Sequence, residues 1–262
     1  MKLAAARKMP YPPNDTSRSL TVTSMHDAGD YRVDQVVGLI LAGGAGRRMG
    51  GVDKGLIELD GRPLVQWVAE TLRPQVASLL ISANRNHDRY SELGWPVLAD
   101  EKPARQPATP DAYRGPLAGI AAALAWIKTQ ARHRPKPARG SLAQSPTSPA
   151  WLLVAPCDTP LLPSDLGPRL AEALSDRQAR IAIAADQERR QPLHALIPTD
   201  INGDLKEYLR SGGRSVLGWL ARYQVATAKF EQTPSRFRNL NRPADAESVR
   251  AQINRDGRHT GL

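Results

Sequence analysis

Val36-Val37-Gly38-Leu39-Ile40-Leu41-Ala42-Gly43-Gly44-Ala45-Gly46-Arg47-Arg48-Met49-Gly50-Gly51-Val52-Asp53-Lys54 is the stretch whose reading decides the fold. It opens with a short run of Val, Ile and Leu, the composition of a strand buried on both faces of a parallel sheet. The run breaks into a loop with five glycines between Gly43 and Gly51. Glycine lets a backbone turn tightly and brings its N–H groups close to a ligand. Arg47, Arg48 and Lys54 lie in or just after the loop. Backbone N–H groups and three cations together can neutralise a polyphosphate.

Two better-known phosphate loops do not fit. A P-loop needs Gly, four residues and then Gly-Lys-Ser/Thr. Gly46 and Gly51 have that spacing, but Val52 stands where the lysine is required. A dinucleotide fingerprint needs G-x-G-x-x-G. Gly44 and Gly46 supply its first pair, but Met49 takes the third glycine's place. The pattern L-A-G-G-x-x-x-R-M-G-x-x-D-K, from Leu41 to Lys54, instead resembles the signature of the MobA-like nucleotidyltransferase family. Within that family it is most similar to the molybdenum cofactor guanylyltransferases.

The resemblance continues from about residue 35 to 250. Gly61-Arg62-Pro63-Leu64-Val65 is similar to the family's G-K/R-P-L, and Ile81-Ser82-Ala83-Asn84-Arg85 to the end of its second strand. Gly115-Pro116-Leu117-Ala118-Gly119-Ile120 resembles its G-P-L-A-G element. Pro156-Cys157-Asp158-Thr159-Pro160 resembles P-C-D-x-P, and Asn239-Leu240-Asn241-Arg242-Pro243 the late N-x-N-x-P. The glycine loop and the Pro-Cys-Asp element are the specific parts.

Strands and helices alternate along the rest of the chain, which implies a mostly parallel sheet with helices on both faces. The expected elements are strands at 36–41, 78–83, 96–99, 151–155, 181–185, 194–197 and 225–230. Helices are expected at 63–72, 116–128, 164–174 with Ser164 as N-cap, 201–210, 215–222 and 244–253. The fold class is therefore α/β. It is a single three-layer, doubly wound domain over 35–253, the Rossmann-like nucleotidyltransferase fold that the resemblance implies.

Residues 1–34 lack periodicity and are expected to form a disordered extension. Residues 129–150 carry Pro135, Pro137, Pro146 and Pro149 with several Ser and Gly, and read as a disordered insert. Residues 254–262 read as a flexible tail.

The net charge of +10 raises the question of nucleic acid, so its location matters. The excess falls in the 128–150 insert and the 232–262 tail, while the rest of the domain is close to neutral. No aromatic residue interleaves the insert's basic cluster, which argues against base stacking and a nucleic-acid partner. No run is long enough to cross a membrane. The first ten residues lack the apolar region of a signal peptide. A single cysteine, Cys157, excludes internal disulfides and fits a reducing cytoplasm.

The resemblance implies a reaction: transfer of GMP from GTP to the terminal phosphate of molybdenum-loaded molybdopterin, releasing pyrophosphate. Arg48 and Lys54 would offset charge developing in the transition state. Arg48 is preferred to Arg47 because it fills the R-M-G position. Asp158 is the candidate ligand for Mg²⁺, which takes one or two carboxylates with water. Its competing role is to cap the following turn.

The nucleotide contacts implied are Leu41, Ala42, Gly43, Gly44, Lys54, Ser82, Asp100 and Asp158. Ser82 departs from the pattern, since many family members carry Asn there, and serine has a shorter reach. For molybdopterin the implied residues are Gln191, Arg214, Asn239 and Asn241. Arg214 sits in a Gly-Gly-Arg-Ser run that reads as an anion-binding helix start. Asn239 and Asn241 could instead form a turn before Pro243. Cys157 reads as a packed residue, not a nucleophile. His87 and His194 are assigned no role.

Other functions fit these residues less well. Cytidylyltransferases more often read L-A-A-G, whereas Gly43 holds the third place here. Sugar-nucleotide enzymes usually show Gly-Thr-Arg after the glycines, whereas this chain has Gly46-Arg47-Arg48-Met49-Gly50. A silent nucleotide-binding carrier would be expected to lack the metal ligand or the loop lysine. The expected protein is a monomer whose product passes to molybdoenzymes or their chaperones.

Overall fold

The computed structural model describes residues 31–43, 52–100, 115–133, 149–175, 178–187, 189–230, 236–240 and 245–255. Most of the expected N-terminal extension, the glycine-rich stretch 44–51, residues 101–114, most of the expected insert and the end of the expected tail lie outside the described residues.

In chain order the elements begin with β1 (Val36–Leu41), β2 (Glu58–Leu59), β3 (Arg62–Pro63), α1 (Leu64–Leu72) and β4 (Ser78–Ser82). Then come α2 (His87–Ser91), β5 (Val97–Leu98), α3 (Pro116–His133), β6 (Trp151–Pro156), α4 (Leu166–Ala173) and β7 (Ile181–Ala185). The chain continues with β8 (Arg190–Pro198), α5 (Asn202–Arg210), α6 (Val216–Leu220), β9 (Val225–Lys229) and α7 (Asp245–Arg255).

Seven of these strands form one sheet in the order β5-β4-β1-β6-β8-β7-β9. β1 lies at its heart, parallel to β4 on one side and to β6 on the other. All six residues of β1 are buried. Val36 and Ile40 enter the core on one face, and Val37, Leu39 and Leu41 enter the core on the other. A strand apolar on both faces needs cover on both. Helices α1 and α4 supply it through Val65, Val68, Leu166 and Leu170, and α3, α5 and α6 through Leu117, Leu124, Leu205 and Trp219. The result is the expected three-layer α/β/α domain.

Several elements differ from the expectation, each for a local reason. β8 runs antiparallel to both neighbours. Only residues 186–189 separate it from β7, and a parallel crossover needs a dozen or more. Helix α3 continues to His133, five residues beyond the expected end. Helix α4 starts at Leu166, and Ser164 is not its cap. The N–H of Gly167 in its first turn is taken instead by Gln75 Oε1 at 2.8 Å. The small β2–β3 hairpin was not expected. Its turn residues Asp60 and Gly61 both have positive φ (52° and 72°), as a type I′ turn demands. Helix α7 docks on this hairpin: Val249 joins Leu59, Leu64 and Trp67 in a third core cluster, and Arg250 Nε donates to Asp60 Oδ1 at 2.7 Å.

Candidate functional site

The parallel strands β1, β4 and β6 all end at the same edge of the sheet. Their ends present Leu41-Ala42-Gly43, Ser82-Ala83-Asn84 and Pro156-Cys157-Asp158 side by side. Because β8 is antiparallel, its first residues, Gln191 to His194, come to that same edge. Together these segments line a cleft of about 360 Å³ with Lys54, Asp100, Gly115, Pro116 and Asn239. The size suits a small-molecule ligand. The place is the one where open α/β sheets bind ligands, beyond the carboxyl ends where the strand order reverses.

Lys54 follows β1's glycine loop in a short 3₁₀ turn. Its Nζ donates to Asp158 Oδ2 at 3.0 Å, with the two side chains 32% and 12% exposed. A loop cation and a strand-end carboxylate, 104 residues apart, thus meet in the cleft. Asp158 is not a helix cap. The turn it occupies is closed by Thr159 Oγ1, which donates to Pro156 O at 3.0 Å. Asp158's own carbonyl accepts the N–H of Leu240 at 2.8 Å. That bond stitches the late Asn-x-Asn segment to the turn and brings Asn239 to the cleft wall.

Asp100 is held by Asn84. Asn84 Nδ2 donates to Asp100 Oδ2, and Asp100 N donates to Asn84 Oδ1, each at 3.0 Å. Ser82 is buried at the floor of the cleft, 2% exposed, against Gly119 of α3. Cys157 is buried, and its thiol is pushed well above the usual range, by burial first and then by Asp158 and Asp53. A thiol kept neutral in this way agrees with a packing role and not a nucleophilic one.

Of the residues singled out in the sequence, Leu41, Ala42, Gly43, Lys54, Ser82, Asp100, Asp158, Gln191 and Asn239 line the cleft together. Gly44, Arg48 and Asn241 lie outside the described residues. Arg214 is not among the lining residues. Its guanidinium donates to Leu209 O at 2.8 Å and Gly213 O at 2.6 Å. The helix after it, α6, has only five residues, and its first-turn N–H at Gly218 is capped by Ser215 Oγ at 3.1 Å. The Gly-Gly-Arg-Ser run is therefore self-satisfied at its helix start.

Three features escaped the sequence reading. Asn84, two residues beyond Ser82, carries the polar side chain on this strand that reaches Asp100. Asp53, directly before Lys54, is buried and accepts from Tyr90 Oη at 2.6 Å and Asn86 Nδ2 at 2.8 Å. His194 lines the cleft with its Nε2 3.1 Å from Thr159 Oγ1. Since Thr159 gives its single proton to Pro156, Nε2 carries the proton of that contact. Burial pushes this imidazole down to about 3, opposed by Asp186, so it is neutral near pH 7. No sequence signal pointed to His194, because its partner is 35 residues distant.

The three-layer α/β domain brings Lys54, Asp100, Asp158 and the end of β1 together at the carboxyl edge of its sheet, the arrangement expected of a nucleotidyltransferase. Comparison with known proteins narrows this. A family model described as "MobA-like NTP transferase domain" matches residues 38–225. A molybdenum cofactor guanylyltransferase from Shewanella sp. (strain MR-4) is 38% identical over 220 residues, covering 84% of this chain and 98% of its own. Another, from Shewanella halifaxensis (strain HAW-EB4), is 38% identical over 215 residues, covering 82% and 94%.

Among solved structures, molybdopterin-guanine dinucleotide biosynthesis protein A from Archaeoglobus fulgidus superposes with a TM-score of 0.59 at 21% identity, covering 84% of this chain and 99% of its own. The 4-diphosphocytidyl-2C-methyl-D-erythritolsynthase from Anaerococcus prevotii gives 0.57 at 12% identity, covering 85% and 98%. Two differently named proteins share the architecture, so these likenesses speak for the fold alone. The chain belongs to the MobA-like NTP transferase family.

Proposed function

We infer that the chain transfers GMP from GTP to the terminal phosphate of molybdenum-loaded molybdopterin, yielding the molybdopterin guanine dinucleotide and pyrophosphate. The observation that carries this reading is the near-full-length 38% identity to curated molybdenum cofactor guanylyltransferases, together with a Lys54–Asp158 pair in a nucleotide-sized cleft.

The chemistry asks little of a general base, because the attacking group is already an anionic phosphate. Orientation and charge neutralisation supply the acceleration. Lys54, and Arg48 in the adjoining loop, are assigned the charge that builds on the departing pyrophosphate. The backbone from Leu41 to Gly44, with Ser82 and Asp100, is assigned the nucleoside side. Gln191 and Asn239 in the cleft lining are assigned the acceptor side, and Asn241 and Arg214 are assigned to it from their motifs alone.

The donor set fits a Mg²⁺ ion. Among the described residues one Asp158 oxygen accepts from Lys54, and the second would hold an oxygen-loving cation whose remaining ligands would come from phosphate and water. When bound, such an ion neutralises phosphate charge. Lys54 then has to share Asp158 with it.

No helix of the described residues is long and apolar enough to cross a membrane. A cytoplasmic monomer handing its product to molybdoenzymes or their chaperones completes the proposal.

The test is pyrophosphate release by the purified protein with Mg²⁺ and molybdenum-loaded molybdopterin, with GTP, CTP, ATP and UTP in parallel. Release with GTP alone, abolished by chelating the metal, is expected. Release with CTP in preference to GTP would overturn the assignment of the base. Release with no nucleotide would overturn the transfer itself.

A further inference from the structure

We propose that Asp53 and Tyr90, with Asn86, are a positioning unit that fixes the backbone under Lys54 and so sets the lysine's reach into the cleft. This rests on the guanylyl-transfer reading for its kinetic arm only. The unit joins the turn at Lys54 to the start of α2. Asp53, with a side chain 7% exposed, precedes Lys54 directly. Its Oδ1 accepts from Tyr90 Oη at 2.6 Å and its Oδ2 from Asn86 Nδ2 at 2.8 Å. Arg85 Nε lies 3.5 Å from Oδ2, and Arg85 Nη2 donates to the carbonyl of Val52 at 2.9 Å.

Asp53 and the carbonyl of Val52 before it are therefore both tied to the segment that follows β4. The tie is preorganised. Tyr90 is fully buried, and Asn86 holds a left-handed conformation (φ 51°, ψ 35°) that aims its amide at Asp53. The next residue, Gly55, leaves no room for error. A Cβ there would stand 2.4 Å from Tyr90 Oη. None of these three side chains lines the cleft, whereas Lys54 does. A lysine on a long flexible stem needs such anchoring if its ammonium is to meet a developing charge without reorganising.

A role exercised through Lys54 makes distinct predictions. Tyr90→Phe removes one hydroxyl from the unit, and Asn86→Gly removes the amide while keeping the left-handed backbone. Each should lower kcat for pyrophosphate release by about tenfold with KM for GTP changed less than about threefold. In a Lys54→Ala background either change should have less than about a twofold effect on kcat, because the residue acted upon is gone. Independently of turnover, acetylation of Lys54, followed by mass spectrometry, should run at least about threefold faster in both variants as its grip on Asp158 loosens.

Unchanged acetylation of Lys54 in both variants, or equal kcat losses with and without Lys54, would overturn the proposal. Absence of pyrophosphate release from the wild-type protein would strike the guanylyl-transfer reading instead, and the acetylation rates would still decide this one.

Discussion

Gly119 lies in the second turn of α3, where it faces the floor of the cleft. In an exposed helix interior, Gly→Ala stabilises by about 1 kcal/mol through backbone entropy. Here a Cβ would stand 2.4 Å from Ser82 Oγ, 3.0 Å from Ser82 Cβ and 3.0 Å from Leu41 Cδ2. Rotating the hydroxyl relieves the first contact and leaves the other two. Either α3 or the ends of β1 and β4 must therefore move by several tenths of an ångström. Overpacking of this kind costs about 1–3 kcal/mol, which outweighs the propensity gain and leaves Gly119→Ala about 1 kcal/mol less stable. For a chain of this length that is a melting temperature lower by about 2–4 °C.

Leu41 and Ser82 line the cleft, so the displacement also reaches the nucleotide. KM for GTP is expected to rise about tenfold, within the scale of misplacement effects. Gly203→Ala in α5 is the control. It has nothing within 4 Å of its would-be Cβ, so it should be stabilised by up to about 1 kcal/mol with KM unaltered. Adding Ser82→Ala to Gly119→Ala removes the nearest atom and should recover part of the lost stability. Thermal melts and GTP-dependent pyrophosphate release read both quantities. If Gly119→Ala behaved like Gly203→Ala, gaining stability with unchanged KM, the packing argument would be refuted.

Asp158→Asn preserves shape but removes charge, and pyrophosphate release should fall by about 10²–10³-fold; an activity within threefold of wild type would remove Asp158 from the mechanism. His194 is neutral in the fold with a value of about 3 against an ordinary 6.5, so the unfolded chain binds the extra proton between those limits. Its contribution is fully present above pH 6.5 and declines by up to about 1.4 kcal/mol per pH unit as the pH falls. The wild-type urea midpoint should drop more steeply from pH 6.5 to 4.5 than that of His194→Leu; parallel slopes would contradict this.

Asp204 accepts from Tyr223 Oη at 2.5 Å, Arg222 Nη2 at 2.6 Å and Trp219 Nε1 at 3.1 Å. Burial alone would raise its carboxyl, but those hydrogen bonds win and hold it below the usual value. Asp204→Ala should cost about 1–3 kcal/mol, discounted for its 31% exposed side chain, with kcat unaltered; a kcat loss at full folding would show a link to the cleft that the contacts do not contain.

How much of this was legible in the chain depends on whether the deciding interactions are local. The β1 run declared itself because its six apolar residues are short, continuous and followed at once by glycine. The Asp60-Gly61 hairpin was equally local and could have been seen, since Asp-Gly is the usual signal for such a turn. Lys54 and Asp158 each stand out within their own motif, and the cleft brings them to 3.0 Å. Arg214 shows the limit of motif reading. Its Gly-Gly-Arg-Ser context reads as an anion site, yet Arg214 lies outside the cleft lining and its Nη1 donates to the carbonyls of Leu209 and Gly213.

By itself the sequence determined the α/β alternation, the glycine loop after the first strand and the motif residues, because strand periodicity, turn chemistry and motif spacing are properties of neighbours along the chain. Tertiary structure decided the rest. It reversed β8, because a four-residue link leaves no room for a crossover, and so brought Gln191 and His194 to the carboxyl edge. It clamped Asp100 with Asn84, buried His194 as a neutral imidazole against Thr159, and gave Asp53 its partners Asn86 and Tyr90 from the start of α2. Those are contacts between segments that no local pattern encodes, and they exist only when the sheet has placed the strand ends side by side.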